Sequence, residues 1–230
     1  MDEINILDIL KMLDNQFSYE KICEFSPKQK REYVKLLNEL IRVNKINRGC
    51  ESPTNLNHIK GKALEDIASY LIKTTGDIFE VHRNLRTSTN EIDQLFKLKQ
   101  SGKTLLKHGL INELFDGFLG ECKNYDKTIS VTYIGKFCSL LLTNKVKLGI
   151  LFSYHRVSGK GWSNGSGLIK KFHLHKEDIK ERYCIIDFNI HDFRAIEQGY
   201  NFLQIIDDKL TSLQLDTDFY RFITKHPAEC

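Results

Sequence analysis

The chain reads as an α/β protein: a mixed central β-sheet flanked by helices, preceded by a small N-terminal helical module. Three observations predict this class. Residues 147–154 and 183–188 are short, nearly continuous apolar runs of strand length, as expected of strands covered on both faces. Residues 59–73 and 131–142 instead carry apolar side chains at helical spacing. Residues 118–124 alternate as one strand, with Phe118, Gly120 and Cys122 on one side and Glu121 and Lys123 on the other.

In chain order, Ile4, Ile6, Leu7, Ile9, Leu10 and Leu13 form the apolar face of a first helix, and Ser18 caps a short second one containing Ile22 and Cys23. Ser26-Pro27 opens a longer helix, with proline in the first turn and Tyr33, Val34, Leu36, Leu37, Leu40 and Ile41 facing inward. Residues 44–49 suit a short strand turning at Gly49. Three helices and a strand resemble a winged helix-turn-helix, so residues 1–50 are either a DNA-contacting module or a helical cap with solvated lysines.

Residues 51–57 read as a linker, and 57–230 as the main domain. There, helix 59–73 ends at Gly76-Asp77, strands cover 79–85 and 92–98, and residues 88–90 turn between them. Gln100-Ser101-Gly102-Lys103 reads as a turn before an ambiguous apolar stretch. Strand 118–124, helix 131–142, strand 147–154, a glycine-rich loop over 159–167, strand 183–188 and a final helix over 191–213 complete the order.

Composition narrows the function classes. At 230 residues, 41% hydrophobic and 28% charged, the chain is an ordinary globular one with ample material for a core. A net charge of +4 permits a polyanionic partner without requiring one. The six cysteines include no CxxC pair and no zinc spacing, and Cys122, Cys138 and Cys184 lie in apolar stretches as buried thiols. No basic leader opens the chain and no apolar run approaches a membrane span, so a reducing cytoplasm is the expected setting, without a membrane partner.

The chemistry lies in three acids and an amine. Glu121 and Lys123 share a strand face, Asp93 lies on the preceding strand in Asn90-Glu91-Ile92-Asp93-Gln94, and Glu65 lies on the first core helix in Gly61-Lys62-Ala63-Leu64-Glu65. Taken singly, Glu65 reads more readily as a solvated helix residue, Glu121 and Lys123 as an ion pair on a solvated sheet face, and Asp93 equally well as a turn-proximal surface acid; in this order on these elements they make a metal-nuclease hypothesis. These residues, with Gly120-Glu121-Cys122-Lys123-Asn124-Tyr125, resemble the PD-(D/E)xK nuclease superfamily, and within it the Mrr-type restriction endonucleases. The resemblance covers roughly residues 57–210. It lacks the proline that opens the motif and has the polar Gln94 after Asp93.

The resemblance implies a restriction-endonuclease-like core and magnesium-dependent (or manganese-dependent) hydrolysis of DNA phosphodiester bonds, in restriction or defence against foreign DNA. Asp93, Glu121 and the Cys122 carbonyl would be the metal ligands, with Glu65 acting through water or on a second ion. Lys123 would orient or deprotonate the attacking water, or neutralise charge at phosphorus. Arg83, Arg86, Lys136, Arg156, Lys160 and Trp162 are candidate nucleic-acid contacts, Trp162 as a stacking wedge in the glycine-rich loop. The loop contains no GxxxxGK[ST] pattern, and His173 and His175 lack partner ligands for a metal. An RNA backbone suits the same residues, and a two-fold symmetric DNA target would call for a homodimer. The rival is a catalytically silent nucleic-acid-binding or assembly subunit that retains the fold.

Overall fold

The computed structural model describes residues 18–46, 53–86, 91–159 and 164–215. The expected first helix, the strand over 44–49 beyond residue 46, the turn at 88–90, and Lys160 and Trp162 lie outside the described residues. The elements are α1 (Tyr19–Ile22), α2 (Pro27–Asn44), α3 (Leu56–Thr74), β1 (Phe79–Arg86), β2 (Glu91–Leu98), α4 (Gln100–Lys107), β3 (Gly117–Lys123), α5 (Val131–Asn144), β4 (Leu148–Ser153), α6 (Gly165–Leu174), β5 (Cys184–Phe188), α7 (Ile190–Glu197) and α8 (Phe202–Leu215). Short 3-10 turns at Glu113–Asp116 and Ile179–Glu181 precede β3 and β5.

The five strands form one mixed sheet in the order β1-β2-β3-β4-β5. The β1-β2 and β2-β3 pairs are antiparallel, whereas β3-β4 and β4-β5 are parallel. The parallel pairs follow from their connections: α5 and α6 carry the chain back between strands, as parallel pairing requires. Every residue of β4 is buried, as its unbroken apolar run predicts.

Strand alternation divides the core into two layers. Phe96, Phe118, Cys122, Ile150, Phe152, Ile186 and Phe188 face α2, α3, α7 and α8. Leu119, Leu151 and Ile185 face α5 and α6, through Ile134, Phe137, Leu141 and Ile169. The first layer is rich in phenylalanine, and Phe96 stacks on Phe118 with ring centroids 4.8 Å apart. Gly120 makes that layer fit: a Cβ there would lie 2.5 Å from the Phe96 ring, so β3 passes close to the aromatic cluster one residue before Glu121.

The helical prefix packs directly on this layer. Ser26 and Gln29 form a reciprocal capping box with Pro27 at the first helical position, which fixes the start of α2. Tyr33, Leu37, Leu40 and Val43 are buried in the same apolar cluster as the sheet, and Tyr33 Oη donates to the Phe193 carbonyl at 2.8 Å. Among the described residues no helix is long and apolar enough to cross a membrane.

Three local readings are corrected. Gln100-Ser101-Gly102-Lys103 is the first turn of α4, not a reverse turn. Gly102 is there because a Cβ would lie 2.6 Å from Leu98 and 2.9 Å from the Ile78 carbonyl. The glycine-rich segment becomes helical from Gly165, where a Cβ would lie 2.5 Å from Val157. The long final helix is two helices, broken at Gly199, whose φ of 109° no helix accommodates.

Candidate active site

The site forms where β2 leaves β3. Their pairing runs from Lys97↔Gly117 to Gln94↔Gly120 and goes no further, although β3 stays paired with β4 as far as Lys123↔Ser153. The Cys122 N–H, past the end of the β2 ladder, donates instead to Asp93 Oδ2 at 3.3 Å. An acid on the diverging strand thus substitutes for the lost backbone partner, and its carboxylate comes to lie over the Glu121–Lys123 face.

Lys123 Nζ bridges the two acids, 3.1 Å from Asp93 Oδ2 and 2.6 Å from Glu121 Oε1. The three side chains retain 23%, 26% and 18% of their exposure in the order Lys123, Asp93, Glu121, so this is a partly desolvated cluster rather than a surface ion pair. Burial pushes the Glu121 carboxyl up; Lys123 pulls it down, and the neighbouring Asp93 charge pushes it up again. Burial works against the Lys123 charge, but Glu121 and Asp93 outweigh it and hold the group above the ordinary lysine value. Lys123 is therefore an ammonium at neutral pH. It is suited to neutralising negative charge.

Glu65 approaches from α3. Burial raises its carboxyl, and Asp93 and Asp66 add to that, while Arg83 and Lys123 oppose it, so Glu65 shares the electrostatic field of the cluster. Its main chain is fastened as well. Arg83 on β1 donates to the Glu65 carbonyl at 3.3 Å and to Asp66 Oδ1 at 3.3 Å. Gln94, buried beside Asp93, donates to Ser69 Oγ at 3.0 Å and reaches toward the same carbonyl. Gln94 is thus a tie between β2 and α3.

Sequence reasoning missed a second tie. Lys60, 2% exposed, pairs through its ammonium with Asp126, and its carbonyl accepts from Asn124 Nδ2 at 2.7 Å. One α3 residue thereby grips the segment just after Lys123 at two points. A buried lysine signals itself only in three dimensions, since in sequence it resembles any helix lysine. Asp187 on β5 was missed for the same reason. It is half-buried, and its Oδ2 accepts from Val157 N at 3.1 Å and Asn189 Nδ2 at 3.3 Å. It anchors the strap that follows β4, which also pairs with the segment before α5 through Ile129 and Val157.

The remaining candidates sit apart from the acids or are already engaged. Arg83 spends its guanidinium on Asp66 and the Glu65 carbonyl. Lys136 is exposed on α5 with its ammonium 5.5 Å from the Tyr133 ring centroid; Tyr133 in turn packs against Tyr125, with centroids 5.1 Å apart. Burial and the bond to Tyr133 push the Tyr125 phenol up to about 12. Arg156 is exposed on the strap, where its carbonyl accepts from Ile129 N. The side chain of Arg86 is outside the described residues. His173 is buried against the Tyr183 carbonyl and Cys184, a structural position rather than that of a ligand.

Asp93, Glu121 and the Cys122 carbonyl are hard oxygen donors of the kind magnesium and manganese take. Among the described residues no trio of His, Cys, Asp or Glu side chains is gathered closely enough to hold a metal unaided; the Lys123 ammonium lies between Asp93 and Glu121 instead. Two acids sharing one fixed cation leave one negative charge uncompensated, and hard oxygen donors of this kind suit a divalent ion. Comparison of the chain with family models, with curated proteins and with solved structures finds no match.

Proposed function

We propose that this protein is a metal-dependent nuclease of the PD-(D/E)xK type, hydrolysing phosphodiester bonds of DNA. What carries the reading is a single observation: Asp93, Glu121 and Lys123, read from separate sequence motifs, form one hydrogen-bonded cluster at the point where two strands diverge, with Glu65 in its field. Asp93, Glu121 and the Cys122 carbonyl would hold a magnesium or manganese ion, with Glu65 acting through water. The ion, when bound, supplies Lewis-acid polarisation of the phosphate and a more acidic attacking water.

The chain's own residues do the rest. The Lys123 ammonium neutralises charge that develops on the phosphate oxygens, in a site where partial burial strengthens the effect. Glu65, raised by burial and acting through water, would take a proton from the nucleophile. Gln94 and Lys60 keep α3, β2 and the β3 exit in register. A role in restriction or defence follows from the family resemblance. The four described cysteines are buried free thiols, which suits a reducing cytoplasm.

The test is incubation of plasmid and linear DNA with the purified chain and magnesium, beside an EDTA control and Lys123→Ala. Cleavage by the wild type with magnesium alone is expected; equal activity in Lys123→Ala overturns the reading. The closed arrangement of Lys123 between its two acids favours one alternative, a nucleic-acid-binding or assembly subunit that does not turn over. Salt-dependent DNA binding that survives Asp93→Ala, with no product from the wild type under any divalent metal, decides for it.

A further inference from the structure

At the opposite end of the sheet from the acids lies a groove of about 970 Å³ in which lysines from separate parts of the chain converge. Lys97 and Lys99 come from the end of β2, Lys103 from α4, Lys145 and Lys147 from the turn between α5 and β4, and Lys180 from the 3-10 turn before β5. The wall also holds three carboxylates, Glu80, Glu113 and Asp116, so lysines outnumber acids two to one. Two of the lysines have work within the molecule. Lys99 pairs with Asp77 at 2.6 Å, and Lys147 donates to the Glu181 carbonyl at 2.8 Å while lying over the Tyr183 ring. Lys97, Lys103, Lys145 and Lys180 are exposed.

Gathering like charges on one concave wall opposes the compact state unless an anion offsets them. The groove is far larger than a single phosphate, and its lysines are spread over four elements, a spacing suited to successive charges of a polymer. Gly117 lines the groove and begins β3; Lys123 ends it six residues on, about 20 Å away at strand rise. At about 3.4 Å per base pair, about six base pairs of duplex span that distance.

We infer that this lysine groove is a nucleic-acid contact outside the acidic site, taking the sugar–phosphate backbone of a duplex. It does not depend on turnover, so it is read by binding in EDTA. Fluorescence anisotropy of a labelled duplex of about 20 base pairs, followed across a salt series with the full chain, is the assay. For Lys103→Glu/Lys180→Glu, the expected results are a loss of about tenfold or more in affinity at low salt and a salt slope shallower by about two. Lys103→Gln/Lys180→Gln should give a smaller loss of the same kind. Lys73→Glu/Arg194→Glu, at exposed positions on α3 and α7, carries the same change in net charge and should bind nearly as the wild type does.

Equal loss in the Lys73/Arg194 pair reduces the effect to overall charge and overturns the inference. So does an unchanged slope in the groove variants, or failure of the wild type to bind duplex at low salt. Displacement of the duplex by inorganic phosphate at constant ionic strength also overturns it, pointing to a small-anion site. Absence of cleavage alongside groove-dependent binding would defeat the nuclease reading and leave this one standing.

Discussion

Replacing Lys123 by methionine removes the ammonium that Asp93 and Glu121 share and keeps a side chain of similar length. At an effective dielectric near 20, contacts of 2.6 and 3.1 Å each correspond to roughly 5–6 kcal/mol of gross attraction. Burying the ammonium offsets much of that, so the net loss on truncation is expected at about 3 kcal/mol at pH 7.5. The loss should depend on pH in a definite direction. Lys123 is held above the ordinary lysine value, so its contribution is fully present at neutral pH and fades only in alkali. Glu121 is held above the ordinary glutamate value, so it is protonated further up the acid range, and near pH 4.5 it no longer offers Lys123 a full charge. The deficit of Lys123→Met should therefore shrink to about half at pH 4.5. Urea unfolding of both proteins at the two pH values measures it. A deficit equal at both, or below about 1 kcal/mol at pH 7.5, refutes the electrostatic account of the cluster.

Asp126→Ala strands the buried Lys60 ammonium and should cost about 3 kcal/mol in urea unfolding, whereas Lys60→Met, which removes the charge with its need for a partner, should fall within about 1.5 kcal/mol of wild type. Burial pushes Asp187 up to about 6, which Lys209 partly counters, so its stabilising contribution belongs to acid and is lost as pH rises through that value. Between pH 5 and 7.5 this removes about 1–2 kcal/mol from the wild type. Asp187→Asn, whose carbonyl oxygen can still accept from Val157 and Asn189, should show a flatter pH profile of thermal unfolding by that amount. Gly61→Ala, in the interior of α3 with nothing within 4 Å of the added carbon, should raise stability by about 0.5–1 kcal/mol. Gly120→Ala should lower it by about 1–3 kcal/mol as Phe96 and Phe152 are forced aside, and thermal melts of the pair separate the two effects.

The sequence by itself determined the elements whose signal is local. Alternation gave β3 and the shared face of Glu121 and Lys123, the Ser26-Pro27 cap gave the start of α2, and the unbroken apolar run gave the buried β4. It also singled out Glu65, Asp93, Glu121 and Lys123, because their joint order on one helix and two strands is visible along the chain. Only tertiary structure decided why Gly102 and Gly165 are glycines: each is required by a side chain or carbonyl from another element, and along the chain such a glycine looks like a turn. Tertiary structure alone also brought Asp93 to the Cys122 amide, buried Lys60 against Asp126, and collected lysines from four elements in one groove. The reason is physical. Propensity and periodicity are set by neighbours a few residues away, whereas desolvation and charge pairing depend on which distant side chains share a volume from which water has been expelled.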